Sequence, residues 1–187
     1  MTKRIILAVS GSISAYKSAD LTSKLKKKGY DIHVIMTEAA QAFITPLTLQ
    51  VLSKNPVHTD VMEEKLAERI NHIDLAKETD LFIVAPASAN TIAKLAHGMA
   101  DNMLTATALA LPSTTPKLIA PAMNTKMYEN PLTKKNLETL QEVGYQKILP
   151  KSGLLACGDT GRGALADIAV IIESIDSALT RKGVYDE

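Results

Sequence analysis

The sequence has few aromatic residues, a single cysteine and almost no net charge. Two Phe, five Tyr and no Trp leave little ring surface on which nucleic-acid bases could stack. The 21 basic side chains are balanced by 20 acidic ones, so the chain lacks the positive field that attracts phosphodiester backbones or acidic membrane surfaces. We therefore expect neither a nucleic acid nor a membrane as a partner.

The single cysteine, Cys157, excludes an intramolecular disulfide and a zinc site built from several thiolates. The His, Asp and Glu residues also lack the spacing of metal ligands, so no metal is predicted. The apolar run Ile5–Val9 is shorter than the ~7–15 residues of a signal-peptide core. No apolar run approaches the ~18 residues of a membrane helix. These absences predict a cytoplasmic protein.

Short apolar runs alternate with amphipathic segments along the chain. Strands are predicted at 5–9, 32–36, 81–85, 118–120 and 148–149, and helices at 15–28, 91–96, 102–111, 131–143 and 168–179. This alternation predicts one domain, residues 1–187, with a doubly wound, Rossmann-like or flavodoxin-like three-layer α/β sandwich around a mainly parallel sheet. The glycine-rich stretch 151–163 is predicted to be a mobile loop.

Polar turns follow two of the predicted strands. The turn Ser10–Ser14 presents backbone N–H groups and hydroxyls at a helix N-terminus, where a phosphate or a ring carbonyl could bind. The segment Pro86–Thr91 offers two hydroxyls and an amide in the same way. Each turn is equally compatible with a tight connection or a helix cap, whereas one anion between two helix N-termini would explain both. The first turn lacks the glycine spacing of dinucleotide-binding folds and the Gly-Lys-Ser/Thr of P-loops, which excludes those two classes.

Two further polar residues are candidates for binding or catalysis. Asn124 follows the fourth strand and could donate two hydrogen bonds to a carboxylate, although a lone Asn is more often a turn or cap residue. Cys157 lies among flexible loop residues; a lone Cys is usually buried, but a thiol in such a loop is well placed to meet a ligand. Spacing singles out none of the four histidines.

Six blocks of residues, taken together, resemble the homo-oligomeric flavin-containing cysteine decarboxylases. The blocks are Gly11–Ile13 with Ala15–Lys17, Met36–Ala40, His72–Leu75, Ser88–Thr91, Pro121–Met127 and Ala156–Gly158. One block alone is a weak signal, but six in order over nearly the whole chain are specific. The chain departs from the family at Tyr128, where many bacterial members have Trp, and at 163–165, where many have Gly-Arg-Met. Both departures concern how the substrate is held rather than the reaction type.

The resemblance implies FMN as cofactor, bound between the subunits of a homo-oligomer that is a trimer or a dodecamer of trimers. It implies that FMN is bound by Gly11, Ser12, Ile13, Thr37, Ser88, Ala89, Asn90, Thr91 and Ala122. It assigns the substrate to Asn124, Met127, Ala156, Cys157 and Gly158, with residues 151–165 as a clamp. His72, Asn124 and Cys157 are the implied catalytic residues.

The implied reaction is the decarboxylation of 4'-phosphopantothenoyl-L-cysteine to 4'-phosphopantetheine in coenzyme A biosynthesis. It proceeds by transient oxidation to a thioaldehyde, loss of CO2 and re-reduction of the enethiol. Because many bacterial members are fused to the ligase that makes this substrate, a chain ending at Glu187 implies a separate ligase.

Three other functions are compatible with parts of this pattern. A peptidyl-cysteine decarboxylase of lantibiotic maturation shares the oxidative half but releases the enethiol, and Cys157 argues against it. A flavin prenyltransferase shares the fold but not the Pro121–Met127 block. A non-catalytic regulatory subunit with the flavin fold would not need His72, Asn124 and Cys157 together.

Overall fold

A computed structural model describes residues 2–63, 71–154, 158 and 160–185. Within these residues, six strands form one parallel sheet: β1 Arg4–Val9, β2 Asp31–Met36, β3 Val57–His58, β4 Leu81–Ala87, β5 Lys117–Pro121 and β6 Tyr145–Lys147. The strand order is β3-β2-β1-β4-β5-β6. β1 and β4 are therefore the central pair, and the chain winds outward from them in both directions.

The helices flank this sheet. A 3-10 turn, Ile13–Tyr16, leads from β1 into α1 Lys17–Lys27. The others are α2 Glu38–Gln41, α3 Pro46–Ser53, α4 Asn71–Glu78, α5 Ala89–Ala96, α6 Met103–Leu109, α7 Thr125–Glu129, α8 Pro131–Glu142 and α9 Ile168–Tyr185. Most begin after a Ser, Thr or Asn whose side chain accepts a hydrogen bond from the first turn, such as Asn102 before α6. Over the described residues, no helix is long and apolar enough to cross a membrane.

The core has two halves, one on each face of the sheet. Ile5, Leu7 and Val9 of β1 pack with apolar residues of α1, α3 and α9. Ile6 and Ala8, which point the other way, pack with residues of α4, α5, α6 and α8. A strand covered on both faces needs apolar residues at every position, which explains why β1 shows no polar alternation. The predicted doubly wound, three-layer fold is confirmed.

The last strand of the sheet lies three residues earlier than the sequence predicted. β6 is Tyr145–Lys147 rather than 148–149. Gly144, at φ +94°, turns the chain directly after α8, and the strand begins with the next residue. Ile148 still donates its N–H to the carbonyl of Ile119 at 2.8 Å, but Leu149 is exposed. Ile148 and Leu149, which were predicted to form the strand, therefore lie where the chain leaves the sheet.

The glycine-rich stretch is also more regular than predicted. β7 Lys151–Leu154 and β8 Thr160–Ala164 pair antiparallel. The prediction of an irregular loop is therefore wrong for the residues of these two strands. Glycine has low strand propensity, which hid the pairing in the sequence. Leu155, Ala156, Cys157 and Asp159 lie outside the described residues, and mobility of this segment stays a prediction.

Ser10 ties together the carboxyl ends of β1 and β4. Its buried hydroxyl donates to the carbonyl of Pro86 at 2.8 Å and accepts the N–H of Ser88 at 2.8 Å. The Ser10 N–H donates to the same carbonyl at 3.2 Å. The turns that follow the two central strands are thereby held in one fixed relation.

Replacing Ser10 with alanine should therefore destabilise the protein. We expect Ser10→Ala to lower the free energy of unfolding by ~1–3 kcal/mol, because the Ser88 N–H and the Pro86 carbonyl each lose a buried partner. Urea denaturation measures this change. Ser174→Ala is the control, since it removes a hydroxyl that donates to the Val170 carbonyl at the surface of α9. Equal midpoints for Ser10→Ala and the wild type would show that the hydrogen bonds of the Ser10 hydroxyl contribute no stability.

Candidate active site at the carboxyl edge of the sheet

A cleft of about 430 Å³ lies at the carboxyl edge, where the chain turns in opposite directions after β1 and β4. Such a reversal opens a crevice because the two connections leave the sheet on opposite faces. The cleft is lined by the turns after β1, β4 and β5 and by the β7–β8 hairpin. The three polar segments that the sequence placed after successive strands therefore meet in one site.

Six of the nine predicted cofactor-binding residues line this cleft. They are Gly11, Ser12, Ile13, Ser88, Ala89 and Ala122. Gly11 is required by close approach, because a Cβ there would lie 2.6 Å from the Cβ of Ala39. Apart from Ile13, these residues have small side chains, which leave the backbone of both turns accessible from the cleft.

The other three predicted cofactor-binding residues do not line the cleft. The hydroxyl of Thr37 accepts the N–H of Ala40 at 3.2 Å and caps α2. Thr91 is buried, and its hydroxyl accepts a hydrogen bond from Ser88 at 3.2 Å. Asn90 is exposed in the first turn of α5. Their assignment to FMN stays a prediction.

Both serine turns serve as helix caps. The Ser12 hydroxyl accepts the N–H of Ser14 at 3.2 Å, and the Ser88 hydroxyl accepts the N–H of Thr91 at 3.3 Å. The cap interpretation of these turns therefore holds, and it places the positive end of α5 at the cleft. An anion here would meet backbone N–H groups and a helix dipole.

Asn124 combines a structural position with access to the cleft. Its Oδ1 accepts the N–H of Lys126 at 2.8 Å and caps α7, and the residue lines the cleft beside the half-exposed Met127. The cap turns the amide oxygen toward the helix, which puts the donor nitrogen, Nδ2, on the opposite side of the carboxamide.

The β7–β8 hairpin lies directly against the Asn124 turn. The N–H of Met123 donates to the carbonyl of Gly163 at 2.9 Å. A Cβ at Gly163 would lie 2.3 Å from the Met123 carbonyl oxygen, and one at Gly161 would lie 2.6 Å from the Thr125 hydroxyl. Glycine at both positions permits this approach. Gly158 is exposed, while Ala156 and Cys157 lie outside the described residues.

His72 lies in the first turn of α4 rather than in the cleft lining. Its Nδ1 is buried and has no hydrogen-bond partner among the residues that the structure describes. Buried polar atoms are nearly always paired, so an unpaired imidazole nitrogen is a candidate for contact with a ligand or a proton. No sequence pattern other than the family resemblance pointed to it.

Tyr128, which stands where many relatives have Trp, is buried against the α8 side of the core. Burial raises the pKa of its phenol, and the nearby charge of Arg162 acts in the opposite direction. The ring therefore stays neutral and serves as packing beneath the Asn124 turn.

A larger and more open concavity, about 880 Å³, lies at the opposite edge of the sheet. Its ionic groups already pair with one another: Arg4 with Asp31 and Glu78, and Lys3 with Asp80. Burial raises the pKa of Asp31, but hydrogen bonds from Asn55, His33 and Arg4 outweigh this and hold the pKa below its usual value. This edge is a surface ion-pair network. Among the described residues, no group of three His, Cys, Asp or Glu could hold a metal.

The strand order and cleft define a doubly wound α/β protein with a ligand site at the switch point between β1 and β4. The Flavoprotein family model matches residues 1–180, and the chain belongs to this family. The predicted family is thereby confirmed.

Relatives of two lengths match the chain. It is 63% identical over 179 residues to the "Probable phosphopantothenoylcysteine decarboxylase" of Streptococcus mutans, covering 96% of this chain and 100% of that protein. It is 49% identical over 171 residues to the "Coenzyme A biosynthesis bifunctional protein CoaBC" of Bacillus subtilis, covering 91% of this chain and 42% of that protein. The chain thus spans less than half of the bifunctional relative.

Solved structures share the fold. A mutant PPC decarboxylase complexed with pantothenoylaminoethenethiol matches with a TM-score of 0.86 and 34% identity, covering 94% of this chain and 97% of that one. The FMN-dependent cysteine decarboxylase SpaF matches with a TM-score of 0.85 and 32% identity over 97% of each chain. The FMN-binding protein AtHal3 matches with a TM-score of 0.83 and 35% identity, covering 94% and 96%.

The close approach at Gly163 predicts that a methyl group there displaces the hairpin. We expect Gly163→Ala to speed hydrogen exchange of the Met123 amide by about tenfold or more, because the new Cβ separates Met123 from its acceptor and disfavours the φ of +155°. Gly153→Ala is the matched control in the same hairpin, since a Cβ there meets nothing within 4 Å. Unchanged exchange in Gly163→Ala would show that the hairpin does not depend on this contact.

Proposed function

We propose that this chain is an FMN-dependent decarboxylase that converts 4'-phosphopantothenoyl-L-cysteine to 4'-phosphopantetheine in coenzyme A biosynthesis. The observation that carries the proposal is the meeting, in one cleft, of two serine turns, the Asn124 turn and the glycine-rich hairpin. The 63% identity to the Streptococcus mutans relative over its whole length supports the choice of substrate.

The residues of the cleft fit FMN. The turns after β1 and β4 would hold its phosphate with backbone N–H groups and the positive end of α5. Gly11, Ala89 and Ala122 leave space at the walls where larger side chains would intrude. One terminal phosphate suits two converging turns, and the neighbouring folds named as FMN-dependent or FMN-binding agree with this assignment. When bound, FMN supplies a reversible two-electron oxidation of the cysteine side chain.

The substrate explains why that oxidation is needed. Loss of CO2 from an N-acyl cysteine would leave a carbanion at Cα with nothing to delocalise it. A thioaldehyde β to the carboxylate provides that delocalisation, and the product is then an enethiolate.

The chain's own residues bind the substrate carboxylate, cover the cleft and transfer protons. Asn124 donates from Nδ2 to the substrate carboxylate and thereby fixes the bond that breaks. The hairpin covers the cleft and excludes water from the reactive thioaldehyde. His72 lies outside the cleft lining of its own chain, so in this proposal it accepts the proton of the substrate thiol at a site shared between subunits. Cys157 gives a proton to the carbon chain in the reductive half, a step for which a thiol is a stronger acid than a hydroxyl.

The proposal includes the assembly and the cellular setting. Exposed apolar side chains border the cleft, among them Ile13, Tyr16 and Met127, and such patches mark protein interfaces. They support a homo-oligomer, a trimer or a dodecamer of trimers, with FMN near the interface. In this proposal a separate ligase supplies the substrate, and the enzyme acts in the cytoplasm.

A single assay separates this function from the alternatives. Protein reconstituted with FMN is incubated without oxygen with 4'-phosphopantothenoyl-L-cysteine, and the products are weighed by mass spectrometry. Loss of CO2 alone supports the proposal. Loss of CO2 and two hydrogens means that only the oxidative half occurs, as expected of a peptidyl-cysteine decarboxylase. Unchanged substrate would indicate a non-catalytic protein.

Asn124→Asp should abolish turnover without unfolding the site. Aspartate can cap α7 as asparagine does, but it repels the substrate carboxylate, so we expect kcat/KM to fall by about 100-fold or more while FMN absorbance is retained. Asn130→Asp is the matched control, because Asn130 caps α8 in the same way, accepting from Leu132 at 2.9 Å, outside the cleft lining. Wild-type turnover in Asn124→Asp would remove Asn124 from the site.

Cys157→Ser should separate the two halves of the reaction. A serine hydroxyl is too weak an acid to replace the thiol, so we expect CO2 release to continue while the enethiol accumulates and 4'-phosphopantetheine formation falls by about 100-fold or more. Mass spectrometry of the product mixture distinguishes the two species. Formation of 4'-phosphopantetheine at the wild-type rate would contradict the role of Cys157 as the acid.

A further inference from the structure

We propose that the ammonium group of Lys17 binds the terminal phosphate of the substrate and makes the enzyme selective for the phosphorylated compound. The assignment rests on the proposed function, because it takes 4'-phosphopantothenoyl-L-cysteine as the substrate. It concerns a residue to which neither the predicted FMN-binding set nor the predicted catalytic set gives a role.

Lys17 is the charged member of the cleft lining within the described residues. The proposed reaction brings three anionic groups to this cleft: the phosphate of FMN, the carboxylate of the substrate and the phosphate of the substrate. The serine turns would bind the phosphate of FMN, and Asn124 would bind the carboxylate of the substrate. The third anion still needs a donor, and a lysine is a common partner of phosphate.

The acidic residues nearest to Lys17 are already paired with other lysines. Asp20 accepts from Lys24 at 2.7 Å, and Asp167 is paired with Lys151. Over the described residues, Lys17 itself makes no salt bridge within 4.0 Å; its ammonium lies 5.9 Å from the centre of the Tyr16 ring. Lys17 is a partly exposed residue and, after the hydrogen bond from Lys151, its charge also helps to lower the pKa of Asp167. Because no carboxylate of the described residues pairs with its ammonium within 4.0 Å, the ammonium is available to an anion that enters the cleft.

The position of Lys17 in its helix also favours a role in binding an anion. Lys17 is the first residue of α1 and directly follows the 3-10 turn Ile13–Tyr16, so it lies in the N-terminal part of the helical segment, where the dipole does not favour a cation. The other lysines of α1 lie in its last turn, where the dipole favours them. The helix dipole therefore does not explain a lysine at this position, whereas contact with an anion in the cleft would.

Asn124 and Lys17 line the same cleft. Lys17 and Tyr16 line both the main cleft and an adjoining cavity of about 280 Å³, which is closed on its other side by the start of α9. Ser88 borders only the main cleft, so the two phosphates would bind at different places. An extended substrate is about as long as four residues of extended chain, ~13 Å. Its carboxylate and its phosphate would therefore contact separate groups.

The test compares two substrates, 4'-phosphopantothenoyl-L-cysteine and pantothenoyl-L-cysteine, which lacks the phosphate. We expect the wild type to prefer the phosphorylated compound and Lys17→Met to reduce the ratio of the two kcat/KM values by about 10- to 100-fold, chiefly through KM. Lys17→Arg should keep most of the preference. Lys27→Met, an exposed lysine ten residues further along α1, is the control and should leave the ratio unchanged. Because each ratio is measured on one preparation, partial unfolding of a variant cancels.

Three outcomes would overturn the assignment. Equal loss of kcat/KM for both substrates would make Lys17 a structural residue, and wild-type kcat/KM values for both substrates would show that another group binds the phosphate. Loss of FMN from Lys17→Met with riboflavin affinity retained would assign Lys17 to the phosphate of the cofactor. A wild type that decarboxylates neither substrate contradicts the proposed function itself, a result distinct from the first three because it appears before any variant is made.

Discussion

The buried hydroxyl of Ser10 holds the carboxyl ends of the two central strands together, and the geometry of the cleft depends on this contact. Through it the turn after β1 meets the turn after β4, although 76 residues separate Ser10 from Pro86. A parallel sheet directs all its strand ends to one edge, but it does not by itself fix the loops that follow. The Ser10 contacts supply that constraint for the two turns proposed to hold FMN.

The fold was largely predictable because its strands are buried on both faces. Ile5–Val9 and Leu81–Ala85 are unbroken apolar runs bounded by polar turns, and such runs are typical of central parallel strands. The edge strand β3 has two residues, Val57 and His58, too few for any periodicity. The hairpin escaped prediction because its strands contain glycines, which have low strand propensity, at 153, 161 and 163.

The site was predictable where it consists of backbone and small residues after strands. Ser10–Ser14, Ser88 and Asn124 each follow a strand, so topology alone brings them to one edge. Lys17 was missed, although a lysine in the first turn of a helix that leaves the central strand is a readable signal. His72 lies within α4, and no rule of spacing separates it from an ordinary core-facing histidine.

The glycines of β8 have a consequence for how the enzyme would handle its substrate. Because Gly163 and Gly161 bring the hairpin into contact with Met123 and Thr125, the hairpin proposed to cover the cleft and the turn proposed to bind the carboxylate are packed directly against each other. In the proposed enzyme, a ligand that reorients Asn124 would therefore also shift the hairpin, and binding and closure would be coupled. A molecule that lacks the carboxylate would leave the cleft open. Selectivity would then depend on closure of the hairpin as much as on the affinity of the cleft.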